Sequence, residues 1–285
     1  MNGSKERIFR VRNKTLHLNG RTLVMGIVNV TPDSFSDGGE AYEFDSAVGR
    51  AEQMIADGAD IIDIGGESTR PGSETVSLGE EIRRVIPVIE TLAKRTTAII
   101  SIDTYKAEVA KRALIAGAHI VNDISAGTFD DAMPDVVAQY DAGVVLMHIK
   151  GTPRDMQKNP VYGDLIGEIK GYLTAAVKRF TSAGVNSDRI LVDPGIGFGK
   201  TLDHNLELIR RLDQFRGLGA GILLGVSRKS FIGLLTDRPV KERLAGTIAA
   251  VVAGVFAGAD VVRVHDVVET VDALKVVDAI TRVGR

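Results

Sequence analysis

Asp57-Gly58-Ala59-Asp60-Ile61-Ile62-Asp63-Ile64-Gly65-Gly66-Glu67 is the stretch on which the fold turns. A glycine placed to halt a helix is followed at once by a short isoleucine-rich run, and the run becomes polar at its far end. Glycine suits the position after a helix because it takes the left-handed conformation there without a Cβ clash. A brief β-branched run with little polar alternation reads as a strand covered on both faces, the kind found in parallel sheets. The same punctuation returns at Ala116-Gly117-Ala118-His119 and at Ala257-Gly258-Ala259-Asp260, each time ahead of another apolar run.

Extended along the chain, this reading places strands at residues 23–29, 60–64, 99–103, 119–122, 144–148, 190–193, 222–225 and 261–265. Helices are expected at 46–56, 78–92, 107–116, 133–140, 165–183 and 204–212, with a two-part element over 231–256 and a last helix over 268–280. Strand and helix alternate throughout, so the chain is expected to be an α/β protein of the (β/α)8 TIM-barrel type, with residues 1–285 forming one domain. Two alternating stretches ahead of the first strand, 8–12 and 15–18, are expected to pair as a short hairpin closing the bottom of the barrel.

Composition supports one large core: 44% of the 285 residues are hydrophobic and 25% charged. A formal net charge of -2 provides no general attraction to polyanions, so neither nucleic acid nor an anionic membrane surface is an expected partner. The absence of cysteine excludes disulfides, thiolate metal sites and cysteine nucleophiles. With no signal peptide read at the start, a cytoplasmic location is expected. The longest low-polarity stretch, 245–259, contains Gly246, Gly254 and Gly258 and falls short of the roughly 20 residues needed to cross a bilayer. It reads as a helix packed on the barrel or against a second copy, and a homodimer is expected.

In such a barrel chemistry collects at the C-terminal ends of the strands, and here those ends are polar. They read Asn29, Asp63, Asp103-Thr104, Asn122-Asp123, Met147-His148, Asp193, Ser227-Arg228-Lys229-Ser230 and Arg263-Val264-His265-Asp266. Taken singly, each has a plain alternative, since an Asp or Asn often caps the next helix and an Arg often pairs with a surface carboxylate. Together on one rim they would be costly to bury without a polar ligand. Asp103, Asn122 and Asp193 suit the edge of a heterocycle with adjacent N–H donors. Arg70, Lys229, Arg263 and His265, with Asn29, suit oxyanions and a hard metal ion. The glycine-rich Gly195-Ile196-Gly197-Phe198-Gly199-Lys200 lacks the spacing and terminal hydroxyl of a Walker phosphate loop.

These residues closely resemble the dihydropteroate synthase family. The resemblance is carried by Met25 to Gly39, by Gly65-Gly66-Glu67-Ser68-Thr69-Arg70-Pro71-Gly72, and by Ser101-Ile102-Asp103-Thr104 and Asn122-Asp123-Ile124. It continues through Met147-His148, Asp193 to Lys200, Ser227 to Ser230 and Arg263 to Asp266, so it spans the chain in order from first strand to last. It implies an enzyme that joins 6-hydroxymethyl-7,8-dihydropterin pyrophosphate to p-aminobenzoate in folate biosynthesis. Position by position, it implies that Asp103, Asn122, Asp193 and Lys229 hold the pterin between Ile124, Met147 and Phe198. Asn29, Arg263 and His265 would bind pyrophosphate, with Mg2+ on Asn29. Thr69, Pro71 and Ser230 would face p-aminobenzoate. Loops bearing Phe35, Asp37 and Arg70 would close over the substrates, with pyrophosphate and Mg2+ ordering them through Arg70, Asn29, Asp33 and Asp37. On that reading p-aminobenzoate is expected to bind well only after the pterin pyrophosphate, or after pyrophosphate and Mg2+ have ordered the loops. Two rival readings share the barrel: a corrinoid-dependent methyltransferase that holds a methylated folate, and a catalytically silent pterin-binding relative. Neither calls for a pyrophosphate group or for an intact set of loop residues.

Overall fold

The computed structural model describes residues 6–30, 39–69 and 72–282. A two-stranded antiparallel hairpin, β1 (Ile8–Val11) and β2 (Lys14–His17), precedes eight parallel strands. These are β3 (Leu23–Asn29), β4 (Ile61–Gly65), β5 (Ile99–Asp103), β6 (Ile120–Asp123), β7 (Gly143–Met147), β8 (Ile190–Asp193), β9 (Gly221–Leu224) and β10 (Val261–Val264). Each pairs with the next, and β10 pairs with β3 to close the barrel. The covering helices are α1 (Gly39–Ala56), α2 (Leu78–Arg95), α3 (Ala107–Ala116), α4 (Met133–Gln139), α5 (Leu165–Ser182), α6 (Leu202–Arg210), α7 (Ser230–Thr236), α8 (Leu244–Phe256) and α9 (Val267–Arg282).

The expected architecture is therefore present, with strand ends displaced by a residue at several places. The larger differences lie in the helices. α1 starts at Gly39 rather than at residue 46. The two-part element divides at Asp237, which is left-handed with φ 53° and stops α7. Gly58, Gly117 and Gly258 take φ of 100°, 119° and 108°, as their helix-ending role requires.

Alternation along the strands sorts side chains into two shells. Val24, Ile62, Ile64, Ile100, Ile102, Val121, Leu146, Val192 and Val262 point outward and pack under the helices against Ala51, Ile89, Leu92, Leu114 and Phe180. Met25, Ile61, Ile99, Ile120, Val145, Leu191, Leu223 and Val261 point inward, where they pack with Phe9, Val11 and Leu18 from the N-terminal segment. The hairpin is thus seated in the barrel floor. β7 begins with glycine because a Cβ at Gly143 would lie 2.5 Å from Val11 Cγ1 and 2.8 Å from Phe9 Cζ.

α8, the apolar helix, settles one face on the barrel through Thr247, Val251 and Gly254. A Cβ at Gly254 would stand 2.0 Å from Leu224 Cδ2, so the glycine lets the helix lie directly on β9. Phe256 remains 61% exposed, and on α7 Leu234 at 70% and Leu235 at 56% are exposed as well. Among the described residues, no helix is long and apolar enough to cross a membrane.

Candidate active site

One inward step above the apolar floor, the same strands change character. Ile61 is followed on its face by Asp63, Ile99 by Ser101 and Asp103, Ile120 by Asn122, Leu191 by Asp193, and Val261 by Arg263. Arg263 binds two carboxylates across the barrel, its Nε donating to Asp63 Oδ2 and its Nη2 to Asp103 Oδ2, each at 2.6 Å. Asn122 Nδ2 donates to the same Asp63 oxygen at 2.9 Å, which orients the amide. Burial works against the Arg263 charge, but Asp63 and Asp103 outweigh it and hold the guanidinium more firmly protonated than usual. Burial also pushes the Asp103 carboxyl up from the ordinary range, against the opposing pull of Arg263.

A second cluster lies across the mouth. Asp193 Oδ1 accepts the Gly195 N–H at 2.7 Å. Lys229 donates to the Ile196 carbonyl and sets its ammonium 4.8 Å from the centre of the Phe198 ring. A Cβ at Gly225 would lie 3.8 Å from Lys229 Nζ, 4.0 Å from Asp193 Oδ2 and 3.9 Å from Arg263 Cβ, so these three groups converge on one point. Burial lowers the Lys229 ammonium to about 8, the Asp193 carboxylate resisting it. Asp193 is raised by burial and pulled back by Lys229. Lys229, suited by residue type to anions and by the family resemblance to the pterin, lies beside Asp193 and Phe198. Arg228, left-handed at φ 56°, turns the other way and pairs with Asp266.

The third component is apolar. Ile124, Met147, Ile149 and Met156 form one buried cluster with Phe198 and Tyr105 against it. Three of these, Ile124, Met147 and Phe198, were expected as walls of a flat ring. Asn29 ends β3, with its Oδ1 3.8 Å from where a Cβ on Gly65 would stand and Asp103 Oδ2 at 3.6 Å from the same point. His265 Nδ1 lies 2.9 Å from Ser227 Oγ. Ser230 opens α7 and is exposed, and Thr69 is half-buried in the loop after β4. Asp33, Phe35, Asp37, Arg70 and Pro71 lie outside the described residues.

The glycine-rich segment after β8 is not a phosphate cradle. Its amides and carbonyls are already engaged: Gly197 N donates to Asn205 Oδ1 at 2.7 Å, and Phe198 O accepts from Lys200 Nζ at 2.9 Å. Gly195 passes so close to β7 that a Cβ there would stand 1.9 Å from His148 O. Lys200 is buried and donates to His148 Nδ1 at 3.0 Å. Burial lowers Lys200 well below its ordinary value and, with nearby lysines adding to it, takes His148 down to about 2, so this imidazole is a neutral acceptor.

Sequence reasoning counts Asp63 among the polar strand ends without giving it a role, and gives none to Lys200 or Tyr105. The signal for Asp63 was its period-two spacing from Ile61, which turns it inward to the level of Arg263. No comparable signal marks Lys200, whose direction depends on the turn that carries it. Among the described residues, no group of three or more His, Cys, Asp or Glu side chains could hold a metal ion. A single hard amide oxygen such as Asn29 Oδ1 does fit Mg2+, which takes one or two protein ligands and completes its shell with phosphate and water.

Comparison with known proteins agrees with this arrangement. The model of the pterin-binding enzyme family matches residues 25–265. A dihydropteroate synthase from a Synechocystis species is 52% identical over 248 residues, covering 87% of this chain and 86% of that protein. The structure of Xanthomonas albilineans dihydropteroate synthase with 4-aminobenzoic acid superposes with a TM-score of 0.91 at 43% identity, covering 98% of this chain and 99% of that one. That of the Burkholderia cenocepacia enzyme with 7,8-dihydropteroate gives 0.89 at 42% identity, with 99% of both chains covered. The ordered motifs, the closed barrel with its polar mouth and these matches together mean that the chain belongs to the dihydropteroate synthase family of pterin-binding enzymes.

Proposed function

We propose that the protein condenses 6-hydroxymethyl-7,8-dihydropterin pyrophosphate with p-aminobenzoate, giving 7,8-dihydropteroate and pyrophosphate. The carrying observation is the polar tier of Asp103, Asn122, Asp193 and Lys229 beside the apolar cluster of Ile124, Met147 and Phe198. A flat heterocycle with an N–H edge and a carbonyl satisfies both at once. The 7,8-dihydropteroate bound by one relative carries such a heterocycle, and the 4-aminobenzoic acid bound by another is the proposed second substrate.

The aniline nitrogen is a weak nucleophile, so the protein gains most by helping the electrophile ionise. In the proposed order the bond between the pterin methylene carbon and the pyrophosphate oxygen breaks first, and the oxygen keeps the electron pair. The nitrogen then bonds to that carbon and releases its proton, in an SN1-like displacement. Asp103 and Asp193 stabilise the positive charge spread over the pterin, while His265 and Arg263 stabilise the departing pyrophosphate. Asn29 would hold Mg2+, which when bound supplies positive charge to the pyrophosphate oxygens. Thr69 and Ser230 line the p-aminobenzoate side, with Phe35 and Pro71 assigned there by the family resemblance, as Asp33, Asp37 and Arg70 are to pyrophosphate and its loops. Exposed Leu234, Leu235 and Phe256 favour pairing through α7 and α8 into a homodimer. A chain with no cysteine is suited to the cytoplasm.

Incubation of the purified protein with both substrates and Mg2+, followed by mass spectrometry, tests the proposal. Dihydropteroate and pyrophosphate in equal amounts are expected, with loss of turnover in excess EDTA and recovery on adding Mg2+. Pterin binding without product would point to a silent relative, and methyl transfer from a methylated folate would point to the methyltransferase reading.

A further inference from the structure

Lys106 occupies a position that the chemistry above does not use. It stands at the start of α3, three residues beyond Asp103, with its own N–H on Thr104 Oγ1 at 3.2 Å. Its ammonium reaches back to the loop between β4 and α2 and finds three oxygens there. Glu67 Oε2 at 2.5 Å belongs to the start of that loop, Val76 O at 2.7 Å to its end, and Glu81 Oε2 at 2.5 Å to the first turns of α2. Both carboxylates are buried, Glu67 at 7% side-chain exposure and Glu81 at 1%, and Lys106 itself is at 19%. A surface lysine would gain little from such contacts, whereas a buried one compensates two desolvated charges and cannot be removed without consequence.

Two further bonds secure the same end of the loop. Arg84 of α2 donates to Gly66 O at 2.9 Å, and the Tyr105 hydroxyl donates to Glu67 Oε1 at 2.8 Å. Tyr105 turns its ring toward the cluster containing Met147 and Phe198, so one side chain joins the edge of the pterin pocket to the base of the loop. Farther along, the loop touches the segment after β7 through Gly72 N–H and Pro153 O at 3.1 Å. The loop carries Thr69, on the p-aminobenzoate side of the proposed site.

We infer that Lys106, with Glu67 and Tyr105, is a positioning device for the second substrate: it ties both ends of the β4–α2 loop to the turn that follows the strand bearing the pterin carboxylate Asp103. None of the three needs to touch a reacting atom. The inference rests on the reading of the second substrate as p-aminobenzoate. If the clamp fixes the loop, loosening it weakens the p-aminobenzoate side while the pterin tier, built on strand ends, stays as it was.

The test compares wild type with Lys106→Met, Lys106→Arg and Tyr105→Phe. Lys106→Met should raise KM for p-aminobenzoate on the order of tenfold, leave KM for the pterin substrate within about twofold, and keep kcat within about twofold at saturation. Lys106→Arg, which retains the charge and several donors, should recover most of the loss. Tyr105→Phe should move the same constant in the same direction by a smaller factor, and it carries the test if Lys106→Met does not fold. Hydrogen exchange on the protein without substrates gives an independent readout: peptides containing Gly72 should exchange faster in Lys106→Met. Unchanged KM for p-aminobenzoate in the folded variants, or losses shared equally by both substrates, would overturn the inference. So would unchanged exchange at Gly72. Absence of dihydropteroate formation by wild type would instead refute the functional reading, and the exchange experiment would still decide whether the clamp exists.

Discussion

The two ends of the barrel are built from the same strands, two residues apart. At the lower end Ile61, Ile99, Ile120, Leu191 and Val261 meet Phe9 and Val11 in a dry cluster. At the upper end Asp63, Asp103, Asn122 and Arg263 stand on those strands paired with one another, and Asp193 stands beside Lys229. The lower tier gains free energy by removing apolar surface from water, whereas the upper tier desolvates charges whose pairing barely repays their burial. A structure that keeps such a tier is arranged for a ligand. The difference separates what holds the fold from what serves it, and substitutions can be aimed at either.

The largest effect should come from below. Phe9→Ala removes a fully buried ring from the plug and is expected to destabilise the protein by about 3–5 kcal/mol, with pterin affinity per folded molecule unchanged. Denaturant unfolding and calorimetry below the transition check both halves. Arg263→Met should blur the contrast, because it leaves Asp63 and Asp103 buried without their cation. A loss of about 3–5 kcal/mol is expected despite the site's functional character, and adding Asp63→Asn should recover part of it in the same unfolding assay.

A smaller effect is expected from pH. Lys229 is lowered to about 8, so it is charged below that value and neutral above it. If the ammonium donates to the pterin carbonyl, affinity for a dihydropterin should fall as pH rises from about 7 to 9, by on the order of tenfold. Calorimetric titrations across that range measure it, and Lys229→Arg, cationic throughout, should flatten the profile. Smallest of all is Ser101→Ala at the boundary between the tiers. Its hydroxyl is buried with no hydrogen-bond partner among the described residues, so its removal should be neutral or stabilising by about 1 kcal/mol, with unchanged ligand affinity. A marked loss of stability would show that Ser101 belongs to the polar network.

The division also governs how much could be read from the sequence. The lower tier and the shell beneath the helices are sums of many apolar contacts, and they leave a periodic trace that placed strands at 23–29, 99–103 and 190–193, where β3, β5 and β8 lie. The polar strand ends were legible as a set because the topology sends all of them to one rim. What was not legible is how they pair. That Arg263 divides its donors between Asp63 and Asp103, that Lys229 sits on Phe198, and that Lys106 reaches Glu67 are facts of rotamer and distance between residues far apart in the chain. Composition and period carry no record of them. The start of α1 at Gly39 was not legible because glycine is among the weakest helix formers.

The central claim, that the upper tier is a pterin site held by a separately stabilised barrel, is tested most directly by calorimetric titration of a dihydropterin into wild type and Asp193→Asn. The amide can still accept the Gly195 N–H, but it turns a donor toward the N–H groups of the heterocycle. The expected result is loss of about 2–3 kcal/mol of binding, roughly a hundredfold in Kd, with a melting temperature no lower than that of wild type, since burial already disfavours the Asp193 charge. Equal pterin affinity in the two proteins would contradict the claim and remove Asp193 from the site.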